Sequence, residues 1–153
     1  MSIKTKKIKI TLNQMSKFNF DEKFNIFYKF RFHPDYLKIN INKKKISKVE
    51  SKIWFKKNNK LKKLFLIKLN NKIIGLIIYN LDNYFYSIII SKKYRNQGAG
   101  KIALSSFIEF LKKKKFKLRT LVKKNNKNSV HIHKKFSKSY KSINKLFYYF
   151  FII

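Results

Sequence analysis

Apolar and polar residues in the first part of the chain follow two different periods. The stretch "KIKITL" (7–12) alternates between polar and apolar residues, which predicts a first strand. The stretch "FDEKFNIFYKF" (20–30) carries apolar residues at helical spacing after Asn19, a residue type that often caps helices. These apolar residues are Phe20, Phe24, Phe27 and Tyr28. A strand followed by a helix therefore opens the chain.

The middle of the chain predicts a second helix and then a three-stranded meander. "ISKVESKIWF" (46–55) has helical spacing, and three strand-like runs separated by Asn, Asp and Lys turns follow it. The predicted apolar face of the helix consists of Ile46, Val49, Ile53 and Trp54. The three runs are "LFLIKL", "KIIGLIIYNL" and "YFYSIIIS".

The last third predicts helix, strand, helix and strand in turn. After Gly98, "AGKIALSSFIEFLKK" carries a helical apolar stripe, and "KLRTLV" (117–122) reads as a strand. "SVHIHKKF" predicts a short helix, and "KLFYYFFII" predicts a buried final strand. The stripe consists of Ile102, Leu104, Phe107, Ile108 and Leu111. The elements are therefore mixed α and β, with a strand, a glycine turn and a helix at their centre.

Length and composition predict one folded domain over residues 1–153. The chain is long enough to bury a real core, and 44% apolar and 17% aromatic residues exceed what a disordered basic tail carries. No repeat and no Pro/Gly/Ser linker divides it.

The charge is strongly basic, with 39 Lys and Arg against 6 Asp and Glu, a net +33. Such a field favours polyanions, including nucleic acid, anionic membranes and phosphorylated small molecules. The excess of Lys, Asn, Ile, Phe and Tyr is equally what A/T-rich codons encode, and dedicated nucleic-acid readers favour Arg, of which there are three. The charge alone therefore leaves function open.

Several classes are excluded by what the sequence lacks. Without cysteine there is no disulfide framework, Cys-ligated zinc or thiol nucleophile. The three histidines have neither the spacing nor the neighbouring carboxylates of a metal site, so we expect no metal. The N-terminus has no signal-peptide core, and "LFYYFFII" is too short to cross a bilayer. We expect a cytoplasmic protein without membrane insertion.

The stretch "SIIISKKYRNQGAGKIAL" concentrates two of the three glycines between a strand and a helix. Free backbone N–H groups at a helix N-terminus bind anions, and Gly98 and Gly100 would let phosphate oxygens approach, with Arg95 and Lys101 adding charge. The pattern is neither G-x-G-x-x-G nor G-x-x-x-x-G-K-[ST]. The alternative is a helix N-terminus simply closed by small residues.

The R-x-x-G-x-G pattern of Arg95, Gly98 and Gly100 resembles the pyrophosphate-binding signature of the GNAT family of N-acetyltransferases. Downstream, "LVKKNNKNSVHIHKKF" is similar to the family's strand ending in Val followed by N-x-x-S and an aromatic residue four positions after the Ser. The matching residues are Val122, Asn126 and Ser129, with His133 where the family usually has a Tyr that protonates the departing thiolate.

A third similarity lies near the N-terminus. "FRFHPDYLKININKKKISKVESKIWF" resembles a W-R-N-x-P segment followed by I-S-x-x-E-H-x-x-W-F, found in sugar-nucleotide and ribosomal-protein members of the family. The matching residues are Arg31, Pro34, Ile46, Ser47, Glu50, Trp54 and Phe55, whereas Phe30, Phe32 and Ser51 depart from the pattern. The resemblance spans roughly residues 25–138 and is greatest to N-acetyltransferases of 4-amino-sugar nucleotides in the pseudaminic acid pathway.

The resemblance implies a central twisted mixed sheet of about six to seven strands with helices on both faces. It implies transfer of acetyl from acetyl-CoA, the co-substrate, to a primary amine, with acetyl-CoA between splayed strands 88–90 and 118–122. The expected cofactor-binding residues are Ile88, Ile89, Ile90, Arg95, Asn96, Gln97, Gly98, Ala99, Gly100, Lys101, Asn126 and Ser129. The backbone near Ile89 is the expected oxyanion donor.

Catalytic and acceptor residues follow from the same resemblance. His133 is the candidate thiolate donor and Glu50 the candidate acid–base group, each with a structural alternative as an ordinary helix residue, and a water chain could replace Glu50. Arg31, His33 and Trp54 are the expected substrate-binding residues. The expected partner is a small amine, a sugar nucleotide, bound by a monomer or homodimer.

Three alternatives remain at the level of sequence. One is an acetyltransferase-like protein with weakened catalysis. Ribosomal-protein N-terminal acetyltransferases share much of the same opening segment. A basic RNA- or DNA-binding module is compatible with the composition, although nucleic acid is not the expected partner, because the aromatics fall on apolar faces and no RNP, helix-turn-helix or zinc-finger motif is present.

Overall fold

The computed structural model describes residues 9–40 and 44–153. Its helices are α1 Phe20–Arg31, α2 Pro34–Leu37, α3 Lys48–Asn58, α4 Ala99–Lys113 and α5 Lys127–Phe136. Its strands are β1 Ile10–Gln14, β2 Lys62–Leu69, β3 Lys72–Asn80, β4 Tyr86–Ile90, β5 Arg119–Lys123, β6 Ser139–Ser142 and β7 Phe147–Phe151. Short 3-10 turns occur at Met15–Lys17, Asn59–Leu61 and Lys92–Tyr94. The first strand was expected from Lys7, and residues 7 and 8 lie outside the described part.

The strands form two sheets that meet along β4 and β5. The first is antiparallel in the order β1-β2-β3-β4, and the second is antiparallel in the order β5-β7-β6. One parallel bridge, between Phe85 and Arg119, joins them. Beyond this bridge the two strands separate, so the carboxyl half of β4 has a pairing strand on one side only. The predicted splay of the two strands is therefore present.

Both faces of the first sheet are covered, which explains why its strands are continuous apolar runs. Along β3, Ile77 and Tyr79 pack in a core with α4, whereas Leu76 and Ile78 pack in a second core with α1 and α3. Successive strand residues point to opposite faces, so one apolar run supplies both cores. The predicted mixed fold, with helices on both faces of the sheet, is confirmed.

Side-chain caps fix the starts of α1 and α3. Asn19 accepts from Glu22 N–H at 2.9 Å while Glu22 accepts from Asn19 N–H at 2.9 Å, a capping box. Ser47 and Glu50 form the same reciprocal pair. The predicted Asn19 cap is confirmed.

The predicted apolar face of α3 is wrong. Val49, Ile53 and Trp54 are 71%, 55% and 43% exposed, and the helix is instead buried through Ser51 and Phe55. Phe55 packs against Phe20, Phe24 and Phe27 of α1. Because α3 touches the core along this narrow line, the spacing of its apolar residues gave the wrong face. None of the helices in the described ranges combines the length and apolar character needed to cross a bilayer.

Candidate active site

The N-terminus of α4 presents three backbone N–H groups without helical partners. The first helical hydrogen bond runs from Ile102 N–H to the Gly98 carbonyl at 3.1 Å, and no side chain caps the helix. The N–H groups of Ala99, Gly100 and Lys101 therefore precede the ladder. The helix is 15 residues long, so the positive end of its dipole adds to these donors. This arrangement can hold an anion.

The two glycines keep the approach to these donors open. Gly98 has φ +80°, a left-handed conformation that favours glycine, and a Cβ added there would meet no heavy atom within 4 Å. A Cβ on Gly100 would lie 3.9 Å from Ile90 Cγ1, an ordinary contact. The backbone conformation therefore favours glycine at position 98, and a Cβ there would have no described protein atom within 4 Å.

Polar side chains of the turn hold its shape. Arg95 Nε donates to the Ile90 carbonyl at 2.8 Å, which ties the turn to the end of β4. Gln97 donates to the Lys93 carbonyl at 2.9 Å. Asn128 donates to Asn96 Oδ1 at 2.7 Å, joining the turn to α5. Of these predicted residues, Gln97 uses its side chain in a hydrogen bond within the turn. Arg95 and Asn96 also line the cleft described below.

The positive charge at this turn comes from a lysine pair as well as from Arg95. The side-chain contact with Lys135, which could bond only an uncharged Lys101, and the like charge of Lys135 lower the pKa of Lys101. An anion beside this lysine pair would relieve the repulsion between the two cations. The sequence predicted Lys101 but not Lys135, which lies 34 positions further along the chain.

The open edge of β4 belongs to Ile88 and Ile90. The Ser91 N–H donates to the Ile74 carbonyl at 2.9 Å. Since hydrogen-bonded and non-bonded positions alternate in an antiparallel ladder, Ile89 also bonds to β3. The backbones of Ile88 and Ile90 therefore face away from β3, toward the gap beside β5.

This alternation corrects the expectation for Ile89. Its backbone pairs with Leu76 of β3, and its side chain is 2% exposed in the core beneath α1 and α3. The available donors at the edge are the N–H groups of Ile88 and Ile90. The Ile90 carbonyl is already engaged by Arg95.

An open cleft of about 800 Å³ runs from the glycine turn to the gap between β4 and β5. Its walls are Ile39, the edge of β4, the start of α4 and one face of α5. A narrower space of about 100 Å³ continues it inward between β4 and β5. The residues shared by both parts are Ile39, Ile88, Asn126, Ser129 and His133. Asn126 caps α5 by accepting from Ser129 N–H at 3.2 Å. The motif residues of the turn and of α5 therefore lie in one cleft.

His133 lies in the wall of this cleft with both ring nitrogens engaged. Nδ1 is 2.6 Å from the Ser129 carbonyl, which can only accept, so Nδ1 carries the proton. Nε2 therefore accepts from the Tyr86 hydroxyl at 2.6 Å. Burial lowers the pKa of His133 to about 4, against a smaller opposing effect of the Ser129 hydrogen bond. Burial also raises the pKa of Tyr86 well above its usual value, so its hydroxyl keeps the proton.

These contacts disfavour a charged His133 as thiolate donor. The ring is neutral at physiological pH, and its single proton points to Ser129. Ser129 Oγ lies 3.2 Å from the same Nδ1 and can accept from it. Within the described residues no other hydrogen bond of this hydroxyl is present, which leaves its proton free to face the cleft.

Glu50 and Trp54 lie away from the cleft. The Glu50 carboxylate accepts from Ser47 N–H at 2.9 Å on the surface of α3, and this capping pair lowers its pKa. Trp54 stacks on Phe27 with ring centroids 6.0 Å apart, and the Lys62 ammonium lies over the indole at 4.9 Å. Both residues therefore have structural contacts that account for them.

Arg31 and His33 have different surroundings. The Arg31 guanidinium is packed near the rings of Phe32 and Tyr36, at 5.5 and 5.6 Å, and burial lowers its pKa. His33 caps α2 by accepting the Asp35 N–H at 3.2 Å, and it lines a pocket beside the cleft. Of the predicted substrate residues, His33 alone borders a cavity next to the motif residues.

Sequence reasoning missed three residues around the cleft, Tyr36, Asp35 and Tyr86. Tyr36 lines both the inner cleft and the pocket beside it. Tyr86 lies inside an apolar strand, where a tyrosine gives no sign of a hydrogen-bond partner 47 residues away. Asp35 gave a usable signal, because a carboxylate is rare in this chain.

Comparison with known proteins agrees with this geometry. The acetyltransferase (GNAT) family matches residues 24–137. A domain from Methanocaldococcus jannaschii has TM-score 0.71 and 19% identity, covering 93% of this chain and 97% of that one. A putative acetyltransferase from Salmonella typhimurium, solved with its cofactor acetyl-CoA, has TM-score 0.59 and 13% identity, covering 94% and 91%. A ribosomal-protein-alanine N-acetyltransferase from Brucella melitensis has TM-score 0.63 and 13% identity, covering 92% and 97%. No curated protein matches the sequence.

The family match covers well over half of the chain, and at these identities the solved structures show a shared fold. The chain belongs to the GNAT acetyltransferase family. It is an acetyl-CoA-dependent N-acetyltransferase.

Proposed function

We propose that the protein transfers the acetyl group of acetyl-CoA to the 4-amino group of a nucleotide-linked amino-deoxysugar. The observation that carries the acetyl-CoA half of this proposal is the single cleft that joins the free N–H groups of α4 to the open edge of β4. The amino-sugar half rests on the N-terminal segment that includes Arg31 and Pro34 and on a basic chain that suits a diphosphate.

The cleft suits the two ends of acetyl-CoA. The N–H groups at Ala99, Gly100 and Lys101 would hold the pyrophosphate, with Arg95 and the lysine pair adding charge. The open edge at Ile88 and Ile90 would bond the pantetheine amides as a neighbouring strand would. Bound there, acetyl-CoA supplies a thioester, an activated acyl group.

The chain's own task is to place the amine and manage two protons. A primary ammonium first loses a proton to a base or water, so that its nitrogen lone pair can form the new bond to the acyl carbon. As the C–S bond breaks, its electron pair leaves on sulfur, which takes up the second proton of the amine. The Ile88 N–H, which lies where the cleft meets its inner continuation, would donate to the acyl oxygen, leaving the Ile88 carbonyl and the Ile90 N–H for the pantetheine amides.

We assign to the Ser129 hydroxyl the relay of this second proton: it would give its own proton to sulfur and take up the proton of the amine, with His133 as its positioning residue. The neutral His133 ring directs Nδ1–H at Ser129, and Tyr86 fixes this tautomer from the other side. The sequence predicted His133 as the proton donor. We propose Ser129 in its place, because the only proton of the His133 ring already points to Ser129. We give Glu50 no part in the step, because its carboxylate accepts the Ser47 N–H in the cap of α3.

Ser129→Ala is expected to lower kcat by about 10²-fold with little change in the Kd for acetyl-CoA, as for loss of one acid–base group. His133→Gln, which keeps a donor and an acceptor, is expected to lose less activity than Ser129→Ala, and Ser106→Ala, at an exposed position of α4, is the control. Steady-state kinetics would contradict the assignment if Ser129→Ala turned over like the wild type while His133→Gln did not.

The acetyl-CoA site is tested at Gly98 by isothermal titration calorimetry at 150 mM salt. Gly98→Asn keeps a residue that tolerates positive φ and places a side chain where the pyrophosphate would lie. We expect an unchanged melting temperature and loss of acetyl-CoA binding; Gly98→Val should also lose binding, with added backbone strain. Binding at wild-type affinity by folded Gly98→Asn would contradict the proposed site.

A second acceptor class is the N-terminal amine of a ribosomal protein. Its support is the opening segment, which also resembles that of ribosomal-protein acetyltransferases, and the Brucella melitensis enzyme of that type shares the fold. Mass spectrometry after incubation with amino-sugar nucleotides and, separately, ribosomal N-terminal peptides distinguishes the two. Acetylation of the peptide alone would replace the sugar proposal.

A further inference from the structure

A second pocket, of about 680 Å³, adjoins the cleft across the end of β4. Ile90 and Arg95 line both spaces, and Tyr36 lines the pocket and the inner cleft. A molecule held in this pocket would therefore lie next to the β4 edge, where the acyl group of acetyl-CoA would be.

The pocket contains one carboxylate and several cations. Asp35 is its only acidic residue, and the basic residues on its wall are Lys29, Lys92, Lys93 and Arg95. Phe30, Tyr36 and Ile89 supply an apolar wall from the core beneath α1. Opposite charges in one pocket with a rigid apolar side are suited to a ligand that itself carries both charges.

Asp35 has no lysine or arginine partner within the described ranges. Its only ion-pair contact is His33 Nδ1 at 3.7 Å, and that nitrogen accepts the Asp35 backbone N–H, so it carries no proton to offer the carboxylate. The carboxyl side chain is 26% exposed. In a chain of 39 basic residues, a carboxylate left without a cation beside a pocket is a ready partner for a ligand's ammonium.

The cations are placed to take the other end. Arg95, fixed through Nε on the Ile90 carbonyl, is assigned above to the pyrophosphate, so the anion of the acceptor falls to the two lysines beside it. Lys92 and Lys93 are exposed at the same rim. Four positive side chains would repel a polyamine or a lysine-rich peptide, whereas one phosphate or carboxylate on the ligand would be attracted.

We infer that this second pocket is the acceptor site and that it selects amines carrying an anionic group on the same molecule, with Asp35 holding the ammonium and the Lys92–Lys93 rim holding the anion. The inference rests on the proposed acetyl transfer, and it names the acceptor class independently of whether a nucleotide is attached. In this pocket the Asp35 carboxylate would also be the group that takes the proton from the ammonium.

The test uses three probes on full-length protein saturated with CoA at 150 mM salt. Glucosamine 6-phosphate carries both charges, glucose 6-phosphate lacks the amine, and glucosamine lacks the phosphate. Calorimetry is expected to show glucosamine 6-phosphate binding at least about tenfold tighter than either of the others, since a charge-assisted contact is worth that factor or more. Equal binding of the three would overturn the inference.

Variants separate the two contacts. Asp35→Asn should bring glucosamine 6-phosphate to the affinity of glucose 6-phosphate while leaving the latter unchanged. Lys92→Ala/Lys93→Ala should weaken both phosphates, and the matched pair Lys113→Ala/Lys114→Ala, exposed at the far end of α4, should not. Equal weakening of both phosphates by Asp35→Asn, or by the two lysine pairs, would overturn the inference.

Turnover rates test the acceptor class independently of the binding measurements. With acetyl-CoA, kcat/KM for glucosamine 6-phosphate should exceed that for glucosamine and for spermidine by at least about tenfold. Preferred acetylation of spermidine would overturn the acceptor class and leave the acetyltransferase proposal standing. Failure of the wild type to bind acetyl-CoA would instead overturn the proposed function on which the inference rests.

Discussion

Acidification should destabilise the protein through His133. The imidazole has a pKa of 6.5 when unperturbed and about 4 in the folded protein, because burial disfavours the cation. Between these values the unfolded chain binds more protons than the folded one, so stability falls as pH falls from about 6.5 to about 4. At about 1.4 kcal/mol per pKa unit, the total loss from this one residue is about 3 kcal/mol. Above pH 6.5 the penalty is absent.

The measurement is urea unfolding at several pH values between 7 and 4, followed by fluorescence of Trp54, the single tryptophan. His133→Gln removes the titrating ring and keeps hydrogen-bonding groups for Tyr86 and Ser129. The carboxylates of both proteins respond alike, so the difference between the two pH profiles isolates His133. His131→Gln, at an exposed position, should keep the wild-type profile. Parallel loss of stability in wild type and His133→Gln would refute the reasoning.

Two further changes test the scaffold. Gly75→Ala should lower the free energy of unfolding by about 1–3 kcal/mol, because the new Cβ would lie 2.3 Å from the Ile89 carbonyl oxygen. In the control Gly100→Ala the nearest atom is 3.9 Å away, so its midpoint of chemical unfolding should not change. Equal midpoints for the two variants would contradict the packing described. Asn19→Ala should cost about 1 kcal/mol by removing the α1 cap, with mid-helix Asn25→Ala as control, and a thermal melt in which only Asn25→Ala loses stability would show that the cap does not matter.

The elements with strong local signals were predictable. Continuous apolar runs gave β2, β3 and β4, since both faces of that sheet are buried, and the strand, glycine turn and helix at the centre gave the start of α4. β6 was missed because all four of its residues are exposed, so it carries no apolar pattern. α2 was missed because it is four residues long and begins at a proline, where the sequence reads as a turn.

The site was predictable where residues lie together in sequence. Arg95, Gly98 and Gly100 are neighbours along the chain, and the turn they form follows from backbone conformation. The partners of His133 could not be found in this way. Tyr86 reaches His133 of α5 from strand β4, 47 positions earlier in the chain, and it fixes the tautomer only in the folded state. The same holds for Asp35, whose place beside β4 depends on how α2 packs.

The unpaired edge of β4 is also a potential template for aggregation. A strand with free N–H and C=O groups can pair with a strand of another molecule, and natural proteins protect such edges. Here geometry gives part of the protection, because β5 starts alongside β4, and the start of α4 and one face of α5 line the cleft beside the rest of the edge. Residues 88 and 90 also lie in a run of three isoleucines, the kind of segment that associates readily once exposed. Occupancy of the cleft would therefore protect this molecule from self-association as well as prepare it for reaction.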